Sequence, residues 1–408
     1  MPVNLPMPKH ADLLAVSGIK LGIASAGIKK ENHPDLVLMA LAEGTITSAV
    51  YTQNTFCAAP VTIAKQHQKE AKPRYLLINS GNANAGTGKA GLEASKSCCK
   101  AVAEIANVDA NVVLPFSTGV IGQQLPVDKI KHAVPDAFQN LTADNWFNAA
   151  HTIMTTDTVA KAVSKQVEID GHTITVTGMA KGSGMIRPDM ATMLAYIATD
   201  AAVEQTVLDK ILARAVAQSF NRITVDGDTS TNDSCILMAT GKAQNSMMVE
   251  FESNAAQALY QVVAEIMQQL AHAIIRDGEG ATKFVEIKVK QGRDAEECRQ
   301  VAYTIAHSPL VKTALFASDP NWGRILAAVG RAGIDALDLT KTAIYLDDVC
   351  IVEQGEPAQS YSEEKGQKVM DREEITITVE LGRGQAEDVV WTCDFSYDYV
   401  KINAEYRT

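Results

Sequence analysis

Hydrophobic and polar positions repeat along the chain in two different periods, and the two periods alternate from one end to the other. Short apolar runs predict β-strands over residues 36–41, 46–52, 75–79, 193–199, 284–290, 341–352, 374–380 and 389–394. Stretches in which apolar residues recur every three or four positions predict helices over residues 93–105, 203–218, 255–276, 296–307 and 325–333. Asp170-Gly171, between alternating repeats at 165–169 and 173–177, predicts a β-hairpin. Residues 353–368 are typical of a loop insertion, and the whole pattern predicts an α/β or α+β fold in layers of sheet and helix.

The composition is that of a globular protein, with 46% hydrophobic and 21% charged residues in a chain of 408. The formal net charge of −11 argues against a nucleic-acid-binding protein, which normally carries a basic surface. No apolar run approaches the roughly 18 residues that a membrane span requires. The amino-terminal MPVNLPMPKHADLL also lacks the basic and apolar segments of a signal peptide. We therefore expect neither membrane anchoring nor secretion, and a cytoplasmic location.

The seven cysteines and eight histidines are scattered, without a C-x-x-C, H-x-x-x-H or H-E-x-x-H motif. An odd number of irregularly spaced cysteines indicates reduced thiols that pack as small apolar groups. Tetrahedral metal sites normally draw on closely spaced ligand pairs, so we expect no metal site.

The most unusual stretch is residues 178–194, GMAKGSGMIRPDMATML, in which three glycines and a proline precede a predicted buried strand. The dipeptide Ala191-Thr192 is a candidate self-cleavage junction, because a threonine hydroxyl held against the preceding carbonyl can accept the acyl group before hydrolysis. Cleavage would give Thr192 a free α-amine, whose pKa of roughly 7.7–8.0 suits it as the base for its own hydroxyl. Two simpler interpretations compete with this one. The glycines can form a tight turn before a strand, or KGSG can cradle a phosphate, although the spacing of a P-loop is absent.

The run KGSGMIRPDMATML at 181–194 resembles the signature of the ornithine acetyltransferase (bifunctional glutamate N-acetyltransferase) family of arginine biosynthesis. Further blocks in family order extend the resemblance over roughly residues 15 to 408. They are GIKKENHPDLVLMA, INSGNANAGTG, STGVIG, MTTDT, SFNRITVDGDTSTNDS, RDGEGATKF, DPNWGRI and the terminal NAEYRT. Two departures stand out: Gly86 replaces a frequent Cys, and Arg187 and Asp189 replace the usual Ala and Asn, placing charges close to the scissile bond.

The resemblance implies a four-layer α/β/β/α sandwich like that of N-terminal-nucleophile enzymes, with a smaller C-terminal α/β part. It also implies an α chain of residues 1–191 and a β chain of residues 192–408, both contributing to one catalytic unit, in an (αβ)₂ heterotetramer. The implied reaction moves an acetyl group from N-acetylornithine to glutamate through an acetyl-threonine intermediate on Thr192. No bound cofactor is implied, and acetyl-CoA is an alternative acetyl donor on which the sequence does not decide.

The resemblance also assigns roles to individual residues. Thr118 and Gly119 match the oxyanion hole of the family, through a side-chain hydroxyl and a backbone N–H. The positions that match substrate-binding residues are Thr155, Lys181, Thr192, Glu279, Asn403 and Thr408. Their chemistry suits an amino-acid substrate, because a lysine pairs with a carboxylate and a glutamate with an ammonium group. Taken singly, each would otherwise be interpreted as a turn residue, a solvated charge or a chain terminus.

Two other functions remain open from the sequence: an aminopeptidase or amidase of similar fold, in which water replaces glutamate, and a non-catalytic amino-acid-binding protein. Four acidic residues in matching blocks receive no role from the sequence, although Asx turns could explain them; they are Asp157, Asp226, Asp228 and Asp233.

Overall fold

The computed structural model describes residues 2–187 and 193–405. The strands in this part of the chain are β1 Ile19–Ala24, β2 Leu36–Leu41, β3 Ile46–Tyr51, β4 Tyr75–Asn79, β5 Val113–Ser117, β6 Lys161–Ile169, β7 His172–Lys181, β8 Leu194–Thr199, β9 Ser234–Ala239, β10 Phe284–Gly292, β11 Ala343–Leu346, β12 Val349–Glu353, β13 Glu356–Pro357, β14 Glu374–Glu380 and β15 Ala386–Cys393. The helices are α1 Ala59–Glu70, α2 Gly88–Ala106, α3 Val127–Gln139, α4 Trp146–Thr152, α5 Gln205–Gln218, α6 Asn254–Arg276, α7 Ala295–Ala306, α8 Pro309–Phe316, α9 Trp322–Gly330, α10 Glu363–Met370 and α11 Tyr397–Ala404.

The chain forms two compact units, and neither coincides with the predicted division at residues 191 and 192. The larger unit consists of residues 7–221 and 228–274, and the smaller unit of residues 1–6, 222–227 and 275–408. The larger unit therefore contains chain from both sides of the predicted cleavage junction.

Two sheets face each other in the larger unit. One has the strand order β1-β2-β4-β5 and the other β3-β9-β8-β7-β6. Alternate residues of each strand point into the layer between the sheets, where the rings of Phe116 and Tyr196 meet edge to face with centroids 5.3 Å apart. The outer face of the first sheet packs against α2 and α3. On the outer face of the second sheet, a Cβ at Gly178 would lie 3.0 Å from Ile266 of α6. The predicted α/β/β/α sandwich is thus confirmed.

The hairpin predicted at Asp170-Gly171 joins β6 and β7. Both turn residues have positive φ, 51° and 78°, which is the conformation of a tight turn whose twist matches the two strands. On its other side β7 pairs antiparallel with β8, and its last residue, Lys181, lies opposite Leu194 at the start of β8.

The smaller unit is an α/β layer built on a six-stranded sheet of order β13-β12-β11-β14-β10-β15. Alternate residues of β10 and β14 pack under α7 and α9 in one core. The single strand predicted over residues 341–352 is wrong. A turn at Asp347, with φ of 49°, divides it into the antiparallel pair β11 and β12. The loop predicted over residues 353–368 is also wrong in part, because it contains β13 and the first residues of α10.

None of the helices in residues 2–187 and 193–405 is both long enough and apolar enough to cross a membrane.

Candidate active site

A polar cluster lies where β7 ends. Lys181 is the last residue of this strand, and its Nζ donates hydrogen bonds to Thr155 Oγ1 at 2.8 Å and Thr118 Oγ1 at 3.2 Å. The lysine side chain is 12% exposed, so it is mostly buried but still reaches the solvent. The fold therefore brings together three of the predicted site residues, although Thr155 and Thr118 lie 26 and 63 residues before Lys181 in the chain.

The turn after β5 is held by close backbone packing. The N–H of Thr118 donates to the carbonyl oxygen of Asn79 at 2.9 Å, and the Thr118 side chain is buried. Gly119 has a φ of 132°, and a Cβ there would lie 2.3 Å from the carbonyl carbon of Gly81 and 2.5 Å from the nitrogen of Asn82. Only glycine fits against that backbone. The turn is consequently fixed in position, as hydrogen-bond donors for an oxyanion must be.

A buried ion pair, Asp157 with Lys161, lies directly beside Lys181. Lys161 Nζ donates to Asp157 Oδ1 at 2.7 Å, and both side chains are fully buried. The same carboxylate accepts hydrogen bonds from the N–H of Gly182 at 2.7 Å and the N–H of Thr155 at 3.2 Å. Burial alone would raise the pKa of Asp157, but the charges of Lys161 and Lys181 and the donated hydrogen bonds hold it well below its usual range. Asp157 is therefore ionised. In the sequence, the only indication that Asp157 belongs to the candidate site was its place in the MTTDT block.

The segment before β9 connects the turn at Thr118 to the start of β8. The side-chain amide of Asn232 donates to the carbonyl oxygens of Ala83 at 2.6 Å and Ser117 at 2.9 Å. The N–H of Ser234 donates to the carbonyl oxygen of Met193 at 2.9 Å. Residues 232–234 thus bond both to Ser117, which precedes Thr118, and to Met193, which follows Thr192 in the chain.

Between these anchors lies Asp233, which the sequence left without a role. Its side chain is buried, and Oδ2 has no hydrogen-bond partner within the part of the chain that the structure describes. Burial raises the pKa of Asp233 well above its usual value, against smaller opposing effects of Ser230 and Lys181. These conditions favour the neutral carboxyl form.

In the smaller unit, two further predicted residues meet. Asn403 Nδ2 donates to Glu279 Oε2 at 2.7 Å, and Glu279 is buried just after the end of α6. Asp226 accepts a hydrogen bond from the hydroxyl of Tyr399 at 3.4 Å in the same unit. Three predicted site residues, Ala191, Thr192 and Thr408, lie outside the described residues.

The described residues form no cluster of three or more His, Cys, Asp or Glu side chains suited to a metal ion. A cavity of about 710 Å³ lies between β3, the end of α1 and the start of α5, and it contains none of the predicted site residues.

Comparison with known proteins was consistent along the chain. Residues 20–408 match the model of the ArgJ family. The chain is 55% identical to the arginine biosynthesis bifunctional protein ArgJ of Pseudomonas syringae pv. tomato over 403 residues, 99% of this chain and 98% of the relative. It is also 55% identical to the protein of that name from Methylococcus capsulatus over 396 residues, 97% of each chain. Among solved structures, the arginine biosynthesis bifunctional protein ArgJ of Bacillus halodurans is 38% identical with a TM-score of 0.50, covering 52% of this chain and 99% of that chain.

Proposed function

The chain belongs to the ArgJ family, and we propose that it transfers the acetyl group of N-acetylornithine to glutamate, giving ornithine and N-acetylglutamate in arginine biosynthesis. The observation that carries this proposal is the convergence of Thr118, Thr155 and Lys181 at the end of β7. These side chains lie beside the start of β8, two residues after Thr192 in the chain.

The nucleophile in this proposal is Thr192 after self-cleavage of the Ala191–Thr192 bond. Its α-amine takes the proton of its hydroxyl, and the hydroxyl oxygen attacks the acetyl carbonyl of N-acetylornithine. The protonated α-amine gives its proton to the leaving nitrogen, and collapse of the tetrahedral intermediate expels ornithine and leaves an acetyl ester on the threonine. The neutral amine of glutamate then attacks the ester carbonyl and gives up a proton. The bond to the threonine oxygen breaks, that oxygen regains the proton as a hydroxyl, and N-acetylglutamate is released. We extend the proposal to acetyl-CoA as a second donor, since relatives 55% identical to this chain are named bifunctional.

Each half-reaction passes through an oxyanion. We assign its stabilisation to the hydroxyl of Thr118 and the backbone N–H of Gly119, which the packing of Gly81 and Asn82 holds rigidly. Rigid donors avoid reorganisation as the negative charge develops. No metal or bound cofactor has a step in this scheme.

Substrate groups are assigned by charge. Lys181 suits the α-carboxylate, with Thr155 beside it. The side-chain carboxylate of Glu279 suits an ammonium group of the substrate. Asn403 orients the Glu279 carboxylate by donating a hydrogen bond to it. We assign Thr408 to substrate binding as well, through its hydroxyl or its terminal carboxylate.

Strand pairing supports the proposal that the two fragments stay together after cleavage. β7 pairs with β8 along six residues, and β3 pairs with β9 along six more. Each of these pairs joins one strand from residues 1–191 to one from residues 192–408 within the same sheet. The solved chain from Bacillus halodurans covers 52% of this chain with 99% of its own length, as a chain of the size of one fragment would. An (αβ)₂ assembly is the corresponding proposal for the oligomer.

The test combines mass spectrometry with an acetyl-transfer assay. We expect the purified protein to give two masses, residues 1–191 and 192–408, that elute together under native conditions. Incubation with N-acetylornithine alone should add one acetyl group to the 192–408 fragment, and glutamate should remove it. Thr192→Ala should remain one uncut, inactive chain, whereas Thr192→Ser, which keeps a hydroxyl, should still cut and transfer more slowly.

An intact wild-type chain with full transferase activity would refute the mechanism. Loss of the acetyl group to water at the same rate with and without glutamate would instead indicate an amidase. Glutamate acetylation with acetyl-CoA as the sole donor tests the second activity separately.

A further inference from the structure

The side-chain amide of Asn232 lies buried in the candidate site, and the proposed mechanism gives it no step. Its Nδ2 donates to the carbonyl oxygens of Ala83 at 2.6 Å and Ser117 at 2.9 Å. Since carbonyl oxygens can only accept, the amide must present its NH₂ group to both of them. Its Oδ1 accepts a hydrogen bond from the hydroxyl of Thr231 at 2.5 Å, which holds the amide in that orientation.

The turn to which Asn232 bonds is the one that carries the proposed oxyanion donors. Ser117 immediately precedes Thr118, and the Ser117 hydroxyl donates to Asn79 Oδ1 at 2.6 Å. The N–H of Thr118 donates to the backbone carbonyl oxygen of the same asparagine at 2.9 Å. Asn79 therefore fixes this turn to its own sheet, whereas Asn232, two residues before β9, fixes it to the facing sheet.

The segment of Asn232 is also bonded to the strand that follows the proposed nucleophile. The N–H of Ser234 donates to the carbonyl oxygen of Met193, the residue after Thr192, at 2.9 Å. The oxyanion donors and the nucleophile thus come from different sheets, and residues 232–234 bond to the backbone beside each of them. Such alignment matters for the rate, because a misplacement of about 1 Å between reacting groups can cost about 10²-fold.

We propose that Asn232 is a positioning residue for acetyl transfer: by bonding to Ser117 and Ala83, its amide holds the turn at Thr118 in place against the start of β8. The inference rests on the proposed function, since it takes the hydroxyl of Thr118 and the N–H of Gly119 as the oxyanion donors. Because Asn232 acts through these donors and not on the bound substrate, its loss should lower kcat and leave KM nearly unchanged.

The experiment compares variants of the full-length protein with wild type by kcat, KM and thermal unfolding. Asn232→Asp keeps the shape of the side chain but replaces the donating NH₂ group by an oxygen, which would face two carbonyl oxygens. Asn245→Asp is the matched control, because Asn245 is also buried and its Nδ2 also donates to two carbonyl oxygens, those of Ala202 at 3.2 Å and Ser246 at 2.8 Å. These contacts of Asn245 lie within residues 192–408 and do not reach the turn at Thr118.

Asn232→Asp should lower kcat by roughly 10²-fold and change KM for glutamate and for N-acetylornithine by less than about three-fold. Asn245→Asp should lower the midpoint of thermal unfolding to a similar extent, because it loses the same kind of buried hydrogen bonds. Its kcat should nevertheless stay within about three-fold of wild type. If Asn232 only stabilised the fold, the two variants would behave alike in kcat as well.

A second measurement adds Asn232→Asp to Thr118→Val. If Asn232 acts by placing the Thr118 hydroxyl, Asn232→Asp should cost at least about five-fold less in a protein that already lacks that hydroxyl. The rate at which the acetyl group appears on the 192–408 fragment, followed by mass spectrometry, gives activities too low for steady-state assays. Effects of the two substitutions that simply multiply would contradict the inference. If the combined variant stays uncut, Asn232→Asp and its control decide.

The inference is also overturned if folded Asn232→Asp keeps kcat within about three-fold of wild type, or if it raises KM alone. If Asn232→Asp does not fold or stays uncut, Thr231→Val decides, because it removes the hydroxyl that orients the amide. A kcat lowered about three-fold or more at unchanged KM then supports the inference, and a wild-type kcat contradicts it. A wild-type protein that forms no N-acetylglutamate would contradict the proposed function itself, which separates the two failures.

Discussion

Thr118→Val removes one hydroxyl from the candidate oxyanion site and leaves almost everything else unchanged. Valine has the branched shape of threonine, and the backbone hydrogen bond from Thr118 N–H to the Asn79 carbonyl oxygen is retained. The side chain loses one contact, the hydrogen bond that Oγ1 accepts from Lys181 at 3.2 Å. The free energy of unfolding should therefore fall by only about 1 kcal/mol.

The effect on the reaction should be much larger. If the hydroxyl stabilises the oxyanion, its removal should lower kcat by about 10²–10³, which corresponds to about 2.7–4 kcal/mol in the transition state. Thr155→Val is the matched comparison, because it removes the other hydroxyl bonded to Lys181, at 2.8 Å. That variant should raise KM about five-fold, the loss of roughly 1 kcal/mol of binding, and change kcat little.

Steady-state rates of N-acetylglutamate formation give both parameters, and mass spectrometry gives the rate at which the acetyl group appears on the 192–408 fragment. Thr118→Val should slow that first step to the same extent as kcat. The reasoning fails if Thr118→Val keeps kcat within about three-fold of wild type, or if both threonine variants change KM alone. The extent of self-cleavage of each variant is measured separately by mass spectrometry, since the same hydroxyl can serve both self-cleavage and acetyl transfer.

Three further predictions use other parts of the structure. Gly119→Ala should lower kcat by at least about 10²-fold, because the added Cβ would strike backbone atoms. In Gly122→Ala, in the same loop, the added Cβ meets no atom within 4 Å, so only the positive φ of this residue should cost about 1 kcal/mol of stability. Equal activity of the two variants would contradict the role assigned to Gly119. Glu279→Gln should raise KM for N-acetylornithine roughly ten-fold by removing the charge that faces an ammonium group, and an unchanged KM in steady-state assays would exclude that contact. A thiol reagent should modify only Cys57 and Cys350 in the folded protein, because the other five thiols are buried, and early reaction of more than two thiols, counted by mass spectrometry, would contradict the burial pattern.

The features that depend on local chemistry followed from the sequence. The hairpin at Asp170-Gly171 is an example, since two adjacent residues that accept positive φ determine the turn by themselves. The turn at Asp347 was missed because Ile344, Leu346, Ile351 and Val352 form one apolar pattern that runs through it. Short-range periodicity detects that a segment is extended, but it does not show where an extended segment reverses direction.

The candidate site divides in the same way. Residue types in family order selected Thr118, Thr155 and Lys181, and the structure added that one ammonium group bonds to both hydroxyls. The ion pair of Asp157 and Lys161 was invisible, because an Asp and a Lys four residues apart are ordinarily solvated. The pairing of strands distant in sequence places these two side chains in the interior. Their burial in turn determines how strongly their charges act on each other. Sequence alone determined which groups are available for catalysis, and only the packing of the two sheets decided which of them share a low-dielectric environment.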